Sequence, residues 1–383
     1  MNKKLIRITT IPISLEKLLE GQLAYINNYY SVTAISSQKE ELQKFSKKEG
    51  IPIFHLNLTR KITPLTDLKA VLKLYNYFNK EKPLIVHTHT PKAGIVGMMA
   101  AYFAKVPIRL HTVAGLPLLE SRGLKRTILN FVEKQTYKFS TFVYPNSVGL
   151  KEIILKNKFT SEAKLKILGE GSSNGIDTDY FSRNHFSDEE IMAKKKALNI
   201  SSTEFVFVFV GRIVGDKGIN ELVAAFNKLN NATLLLVGPL EEDLDPISAS
   251  TAVIISENPK IITTGYQEDV RIFYALSDAL VFPSYREGFP NVVMQAGAMG
   301  LPSIVTDING CNEIIIEGKN GWIIPVKNVE AVFNAMDYCL LNQEQVLDLA
   351  SNSRQMISSR YEQKIIWKAI LEEYQKLTLE LEP

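Results

Sequence analysis

Glu287, Arg212 and Lys217 are the residues whose type and setting best suit chemistry. Glu287 stands in Pro283-Ser284-Tyr285-Arg286-Glu287-Gly288-Phe289-Pro290-Asn291, after the apolar run Ala279–Phe282 and before a helical spacing from Asn291 to Met299. This predicts strand, loop and helix, with Glu287 at the carboxyl end of a strand, where ligands of open parallel sheets bind. Gly288 lets the backbone come close to a ligand. Pro290 suits a first helical turn. The helix N-terminus offers amides and partial positive charge to an anion such as a phosphate. Glu287 would face a neutral polyol, and Gln295 lies about two turns further on.

The second constellation follows Phe205–Val210, a buried-strand run that ends in Gly211-Arg212-Ile213-Val214-Gly215-Asp216-Lys217-Gly218. Two cations five residues apart thus share a glycine-bearing loop at another strand end. Such a pair suits a diphosphate, arginine as a planar fork and lysine as a point charge. Taken alone, the same residues read as surface charges, and Glu287 as a solvated carboxylate.

These loops need strands to position them. Short apolar runs alternate with amphipathic stretches through both halves of the chain. The first half has candidate strands at Leu5–Thr9, Val32–Ser36, Ile51–Leu56, Leu84–His87, Ile108–Thr112 and Thr141–Tyr144, with helical spacing clearest in Leu65–Asn79 and Lys92–Ala104. A polar link runs from Ser172 to about Asn199, and the pattern restarts at Phe205–Val210, Leu234–Val237, Ile261–Thr264, Ala279–Phe282, Ser303–Val305 and Trp322–Ile324. Strand–helix alternation predicts α/β architecture with doubly wound parallel sheets. Two such domains make a cleft, a common ligand site. The expected division is 1–180, 181–360 and a helical tail, 361–383. No Gly-x-Gly-x-x-Gly follows the first strand, which argues against a nicotinamide enzyme.

Composition bounds the function. The 383 residues suffice for two domains. With 45% hydrophobic and 22% charged residues, the chain is ordinary globular protein. A net charge of +3 gives no footprint for nucleic acid. Cys311 and Cys339 have no metal spacing and need no oxidising compartment. The stretch Leu5 to Ile13 is too short and polar for a signal peptide, and no run is long enough to span a membrane. A cytoplasmic protein is expected, with any membrane contact peripheral, on the inner leaflet.

Glu287-Gly288-Phe289-Pro290-Asn291 with an amide at 295 resembles the Glu-x7-Glu signature of retaining family-4 glycosyltransferases of the GT-B fold. The loop with Arg212 and Lys217 is similar to that family's diphosphate-binding motif. The resemblance runs from about residue 9 to 313, and its nearest likeness is to bacterial enzymes of capsule, O-antigen and lipid-linked glycan synthesis. It implies two Rossmann-like domains facing across a cleft, acceptor side first, with the tail helix packing back on the first domain. It implies that Glu287 touches the donor sugar, that residue 295 holds the ribose, and that Arg212 and Lys217 neutralise the departing diphosphate. Gly211, Gly288, Phe289, Pro290, Asn291 and Val292 belong to the same two motifs. Val237-Gly238-Pro239 resembles a nucleotide-side loop, and Gly265-Tyr266 a loop whose backbone reads the base edge. Asp307 to Glu313 is similar to a turn beside the nucleotide.

Three positions depart from the pattern. Gln295 replaces the second glutamate and bonds ribose without charge assistance. Glu20 replaces the first of two glycines, leaving Gly21 near the phosphates. Ala114 replaces a sugar-touching histidine in His111-Thr112-Val113-Ala114-Gly115. His111 either stays near the sugar, with Gly115, or is buried in its strand. In His87-Thr88-His89-Thr90, His89 reads as a polar wall of the cleft and His87 as a satisfied core residue. No third ligand is evident beside the two histidines, and no Asp-x-Asp or His/Asp cluster reads as suited to a divalent ion, so metal-independent catalysis without a cofactor is expected.

Arg122 to Lys138 sets Arg122, Lys125, Arg126, Lys134 and Lys138 among Leu124, Ile128, Leu129, Phe131 and Val132. A core-facing helix with a solvated basic face is the expectation, and a helix lying on anionic lipid the alternative. The whole implies transfer of a hexose or N-acetylhexosamine from a nucleotide sugar, a UDP-sugar, to a saccharide or undecaprenyl-type lipid-linked acceptor. A UDP-sugar 2-epimerase and a non-catalytic nucleotide-sugar-binding subunit remain as alternatives.

Overall fold

The apolar runs become two six-stranded sheets, parallel throughout. The computed structural model describes residues 3–59, 61, 63–116, 118, 121–241 and 245–381. The chain divides into two compact units, 1–175 with 364–383, and 176–363.

In the first unit the strands are β1 Lys4–Ile8, β2 Ser31–Ser36, β3 Ile53–His55, β4 Ile85–His89, β5 Ile108–Val113 and β6 Phe142–Pro145. Its helices are α1 Pro12–Leu19, α2 Gln22–Asn27, α3 Lys39–Glu49, α4 Pro64–Glu81, α5 Pro91–Phe103, α6 Gly123–Phe139 and α7 Val148–Lys156. The sheet order is β3-β2-β1-β4-β5-β6, so the winding reverses between β1 and β4. Ligand crevices form at the carboxyl ends of strands at such a reversal.

The second unit begins with α8 Asp188–Ala197 and continues with β7 Phe205–Val210, α9 Ile219–Phe226, β8 Ala232–Val237, α10 Ala249–Glu257, β9 Ile261–Gly265, α11 Arg271–Ala275 and β10 Ala279–Phe282. It closes with α12 Asn291–Ala298, β11 Ser303–Thr306, α13 Cys311–Ile314, β12 Gly321–Ile324, α14 Val329–Leu341 and α15 Gln343–Tyr361. Its order is β12-β11-β10-β7-β8-β9, with the reversal between β7 and β10. β7 and β8 are buried along their whole length. Continuous apolar runs of this kind fit a sheet covered on both faces.

Two expectations need correction. The polar stretch after Ser172 is not a plain link. The units part at residue 175, and Ser187 caps α8, its side chain accepting from the Glu190 amide while the Glu190 carboxylate accepts from the Ser187 amide. That reciprocal pair stabilises a helix start in a segment poor in apolar residues. The tail is also not one helix from Tyr361. α15 ends there, Glu362 leaves the helical conformation, and α16 runs from Gln363 to Leu379. The Glu362 carboxylate accepts from the Thr178 amide at 3.1 Å, which uses the break to tie down residue 178.

α16 packs in the first unit. Ile366, Ile370, Leu371, Tyr374 and Leu377 share a core cluster with Leu5, Ile85 and Leu110. Trp367 Nε1 donates to Asn174 Oδ1 at 2.7 Å. α6 also departs from expectation. Its buried residues are Glu133, Thr136 and Tyr137, while Leu124, Ile128 and Phe131 are exposed, so its apolar row faces outward rather than into the core.

Candidate active site

The reversal between β7 and β10 brings together residues 70 positions apart. Lys217 ends a short 3-10 turn after β7, and Glu287 lies in the loop after β10. The Lys217 ammonium donates to Glu287 Oε1, and both side chains are mostly buried. Ser284 Oγ donates to the same oxygen at 3.0 Å. Arg212, nearer the end of β7, donates to Glu241 Oε2 at 3.0 Å and is more open to solvent. Arg286 pairs with Asp216 at 2.6 Å.

Close backbone approach holds the two loops in place. Gly218 has φ +72°, and a Cβ there would lie 2.1 Å from the Pro283 carbonyl oxygen. No side chain fits, so glycine lets the Lys217 turn touch the start of the Glu287 loop. On the other side, Asn309 Nδ2 donates to the carbonyls of Glu287 and of Gly288, the latter at 3.3 Å. A Cβ on Gly310 would lie 2.5 Å from the Gly288 carbonyl oxygen. Gly310 N–H donates to Glu313 Oε1 at 3.3 Å, so Glu313 braces this turn.

The other residues expected in this unit fall around the same strand ends. Gly211 and Gly238 follow β7 and β8, where the Gly211 amide donates to the Val237 carbonyl at 2.9 Å. Gly288 precedes α12, Asn291 and Val292 are its first two residues, and Pro290 is its N-cap rather than its first helical residue. Phe289 points inward, its ring 5.3 Å from that of Tyr361, so its side chain is not free to touch a ligand. Gln295 is half-buried, with Tyr274 Oη 3.3 Å from its Oε1. Tyr266 stands exposed beyond β9.

In the first unit, the histidines are more deeply placed than expected. His89 is fully buried rather than a polar wall, and neither ring nitrogen has a hydrogen-bond partner among the described residues. With His87, Thr112 and Asn146 it lines a hollow of about 10 Å³, sized for one water. His87 is satisfied, Nδ1 bonding Tyr374 Oη at 2.5 Å and Nε2 bonding Thr112 Oγ1 at 2.7 Å. His111 is buried in β5, 2.8 Å from Thr88 Oγ1, with Gly94 leaving room for its ring. This resolves the two readings of His111 in favour of the core. Burial drives all three well below the usual histidine range, His111 to about 3. Gly21 N–H donates to Glu49 Oε1 at 3.1 Å, and the Trp367 ring lies against its Cα. Gly115 is half-buried in the loop after β5.

Sequence reasoning missed Ser284, Asn309 and Glu241. Asn309 stood in a turn already singled out, but the sequence carries no sign that its amide reaches the Glu287 backbone 22 positions away. Among the described residues, no group of three His, Cys, Asp or Glu side chains is arranged to hold a metal ion.

A family model for glycosyl transferases group 1 matches residues 190–356, and one for glycosyl transferase 4-like proteins matches residues 18–147. The capsular polysaccharide biosynthesis glycosyltransferase CapM of Staphylococcus aureus is 32% identical over 388 residues, spanning 100% of this chain and 99% of that one. The Escherichia coli UDP-Gal:alpha-D-GlcNAc-diphosphoundecaprenol alpha-1,3-galactosyltransferase is 26% identical over 337 residues, covering 85% of this chain and 84% of its own. Among solved structures, Anabaena HepE in complex with UDP and glucose superposes with a TM-score of 0.83 at 18% identity, covering 98% of this chain and 100% of that one, a likeness of fold. The chain belongs to the group 1 glycosyltransferases and has the GT-B fold.

Proposed function

We propose that this glycosyltransferase moves a hexose or N-acetylhexosamine from a UDP-sugar to a lipid-linked saccharide in the synthesis of a bacterial surface polysaccharide, with retention of anomeric configuration. The observation that carries the reading is the meeting of Lys217 and Glu287 across the β7–β10 reversal, with Arg212 in the Lys217 loop. Such a donor has a diphosphate for the cations and hydroxyls for the carboxylate. The names of the Staphylococcus and Escherichia relatives, one of capsule synthesis and one of UDP-galactose transfer to a diphosphoundecaprenol-linked sugar, support the substrate classes.

In this reading the acceptor hydroxyl oxygen bonds to the anomeric carbon as the bond from that carbon to the phosphate oxygen breaks. The bonding pair leaves with the nucleoside diphosphate, whose phosphate oxygen takes the hydroxyl proton. Attack and departure share one face of the sugar, so configuration is kept. Arg212 and Lys217 stabilise the charge that develops on the diphosphate, acting as preorganised cations without a metal. Glu287 orients the hexose, and Gln295 hydrogen-bonds the ribose. Before the donor arrives, Glu287 neutralises Lys217 and Glu241 holds Arg212. The diphosphate takes over those contacts.

Thermal shifts with UDP-, GDP-, ADP- and CMP-sugars in EDTA test the donor. Ligand at a hundred times its Kd adds about 2.7 kcal/mol. A shift with one UDP-sugar, lost in Arg212→Ala, is expected. Transfer to a lipid-linked acceptor, with the product anomer read by NMR, tests the rest. An inverted anomer removes the retaining mechanism, and a strict metal requirement removes the metal-free one.

A further inference from the structure

Ser284 is fully buried, and its hydroxyl takes no part in the transfer itself. It stands just beyond the end of β10, three positions before Glu287. Its backbone is fixed from several sides. The Thr306 hydroxyl, at the end of β11, donates to the Ser284 carbonyl. The Tyr285 amide donates to the Asp216 carbonyl at 2.9 Å. Pro283 lies against Gly218, where no Cβ fits. The position of the Ser284 hydroxyl is therefore set by β11 and by the Lys217 turn.

That hydroxyl has one hydrogen and three acceptors in reach. They are Glu287 Oε1 at 3.0 Å, the Arg286 carbonyl at 3.1 Å and the Asp216 carbonyl at 3.4 Å. The carboxylate is the nearest and carries the charge, so it takes the hydrogen. Lys217 donates to the same oxygen. Glu287 Oε2 has no hydrogen-bond partner among the described residues and is not cut off from solvent. The side chain keeps 16% of its surface exposed. One carboxylate is thus divided into an oxygen that is held and an oxygen that is open.

The ion pair does not hold Glu287 once a donor is bound, because Lys217 then turns to the diphosphate. A glutamate side chain released in this way has several rotamers to choose from. We propose that Ser284 is the positioning residue that keeps Glu287 in place after Lys217 has left it, so that Oε2 alone meets the donor hexose. The proposal rests on the reading of Glu287 as the hexose contact. Oε2 accepts, so the groups that it reads on the sugar are hydroxyls or an N–H. Fixing the carboxylate beforehand removes its ordering from the cost of donor binding.

Calorimetric titration of the full chain tests this, with UDP on one side and UDP-glucose, UDP-galactose and their N-acetylated 2-amino forms on the other. Ser284→Ala should weaken binding of the preferred UDP-sugar about tenfold and leave the affinity for UDP within about twofold. Ser284→Thr, which keeps the hydroxyl, should recover most of the loss. Equal weakening toward UDP and UDP-sugar would make Ser284 a support of the whole loop and overturn the proposal. Unchanged binding in Ser284→Ala, where Glu287→Ala loses the UDP-sugar, would overturn the proposal and leave the hexose contact standing. Unchanged UDP-sugar binding in Glu287→Ala would overturn both. Should Ser284→Ala fail to fold, a crystal structure of the parent chain with the UDP-sugar decides. Ser284 Oγ on Glu287 Oε1 and the hexose on Oε2 are expected, and a hexose on both oxygens, or a Ser284 turned to the Arg286 carbonyl, would overturn the proposal.

Discussion

The central strands of the two sheets occupy matching places and are built from opposite materials. β7 reads Phe205-Val206-Phe207-Val208-Phe209-Val210, every residue buried, and its neighbour β10 is Ala279-Leu280-Val281-Phe282, buried likewise. In the first unit β1 buries Arg7, and β4 buries His87 and His89. The Arg7 guanidinium donates to Tyr374 Oη and, at 2.5 Å, to Gln22 Oε1, both neutral. Burial lowers its pKa. Tyr374 also bonds His87, so a polar network ties α16 to the sheet. In the second unit these central strands carry no charge, and Lys217 and Glu287 stand in the loops at their ends. In the first, charge lies inside, fixing where a distant helix packs. A buried charge of this kind costs desolvation and contributes specificity more than stability.

Acid should separate the units most. His87, His89 and His111 have folded-state pKa values below the free value, so the folded chain binds fewer protons than the unfolded one. Their contribution is intact above about pH 6.5. It is lost below that by up to about 1.4 kcal/mol per pH unit for each. Calorimetry at pH 7.5 and 5 should show one transition falling much further than the other, and equal shifts would break the comparison. Arg7→Ala comes next. It leaves Gln22 and Tyr374 short of a partner beside a cavity and should cost about 3–5 kcal/mol in urea unfolding. Arg7→Met should stay close to the parent. If both variants behave alike, the network has no structural weight.

Glu133 sharpens the contrast at alkaline pH. Burial pushes its carboxyl up to about 7, so the contribution of protonation is present below about pH 4.5 and lost as pH rises through 7. Glu133→Gln should therefore stabilise the chain by up to about 3 kcal/mol at pH 8 and change little at pH 4. A gain independent of pH would point to packing instead. The smallest effect is in the second unit, on rate and not on folding. Arg212→Ala should lose about 1.5–3 kcal/mol of transition-state stabilisation in kcat/KM, with an unchanged melting temperature. Full activity in that variant would remove Arg212 from the mechanism.

Alternating apolar runs located every strand, most to within two residues. The period of side chains in a buried parallel strand leaves little choice of element. Pro290 and the glycine loops marked the strand ends at which Lys217 and Glu287 meet. Pairing was not legible. Lys217 and Glu287 are far apart in sequence, and only the β7–β10 reversal makes them neighbours. The inward turn of Glu133 was hidden for a related reason. A helical wheel shows which residues share a face, but not which face meets the sheet. His111 and Phe289 illustrate the same point, since each sits in a motif suited to ligand contact and is drawn into the core by its neighbours.

The sequence alone determined two parallel α/β units, the loops that carry charge, and the family resemblance. Each of these follows from local periodicity and short motifs, which tertiary context seldom reverses. Tertiary structure alone decided that Lys217 meets Glu287, that Asn309 holds the Glu287 backbone, that Arg7 clasps α16 through Tyr374, and that α6 presents its apolar side outward. These depend on strand order and on the facing of helices. Such properties are set by the packing of the whole chain, because the free energy of burying each face is shared with partners distant in sequence.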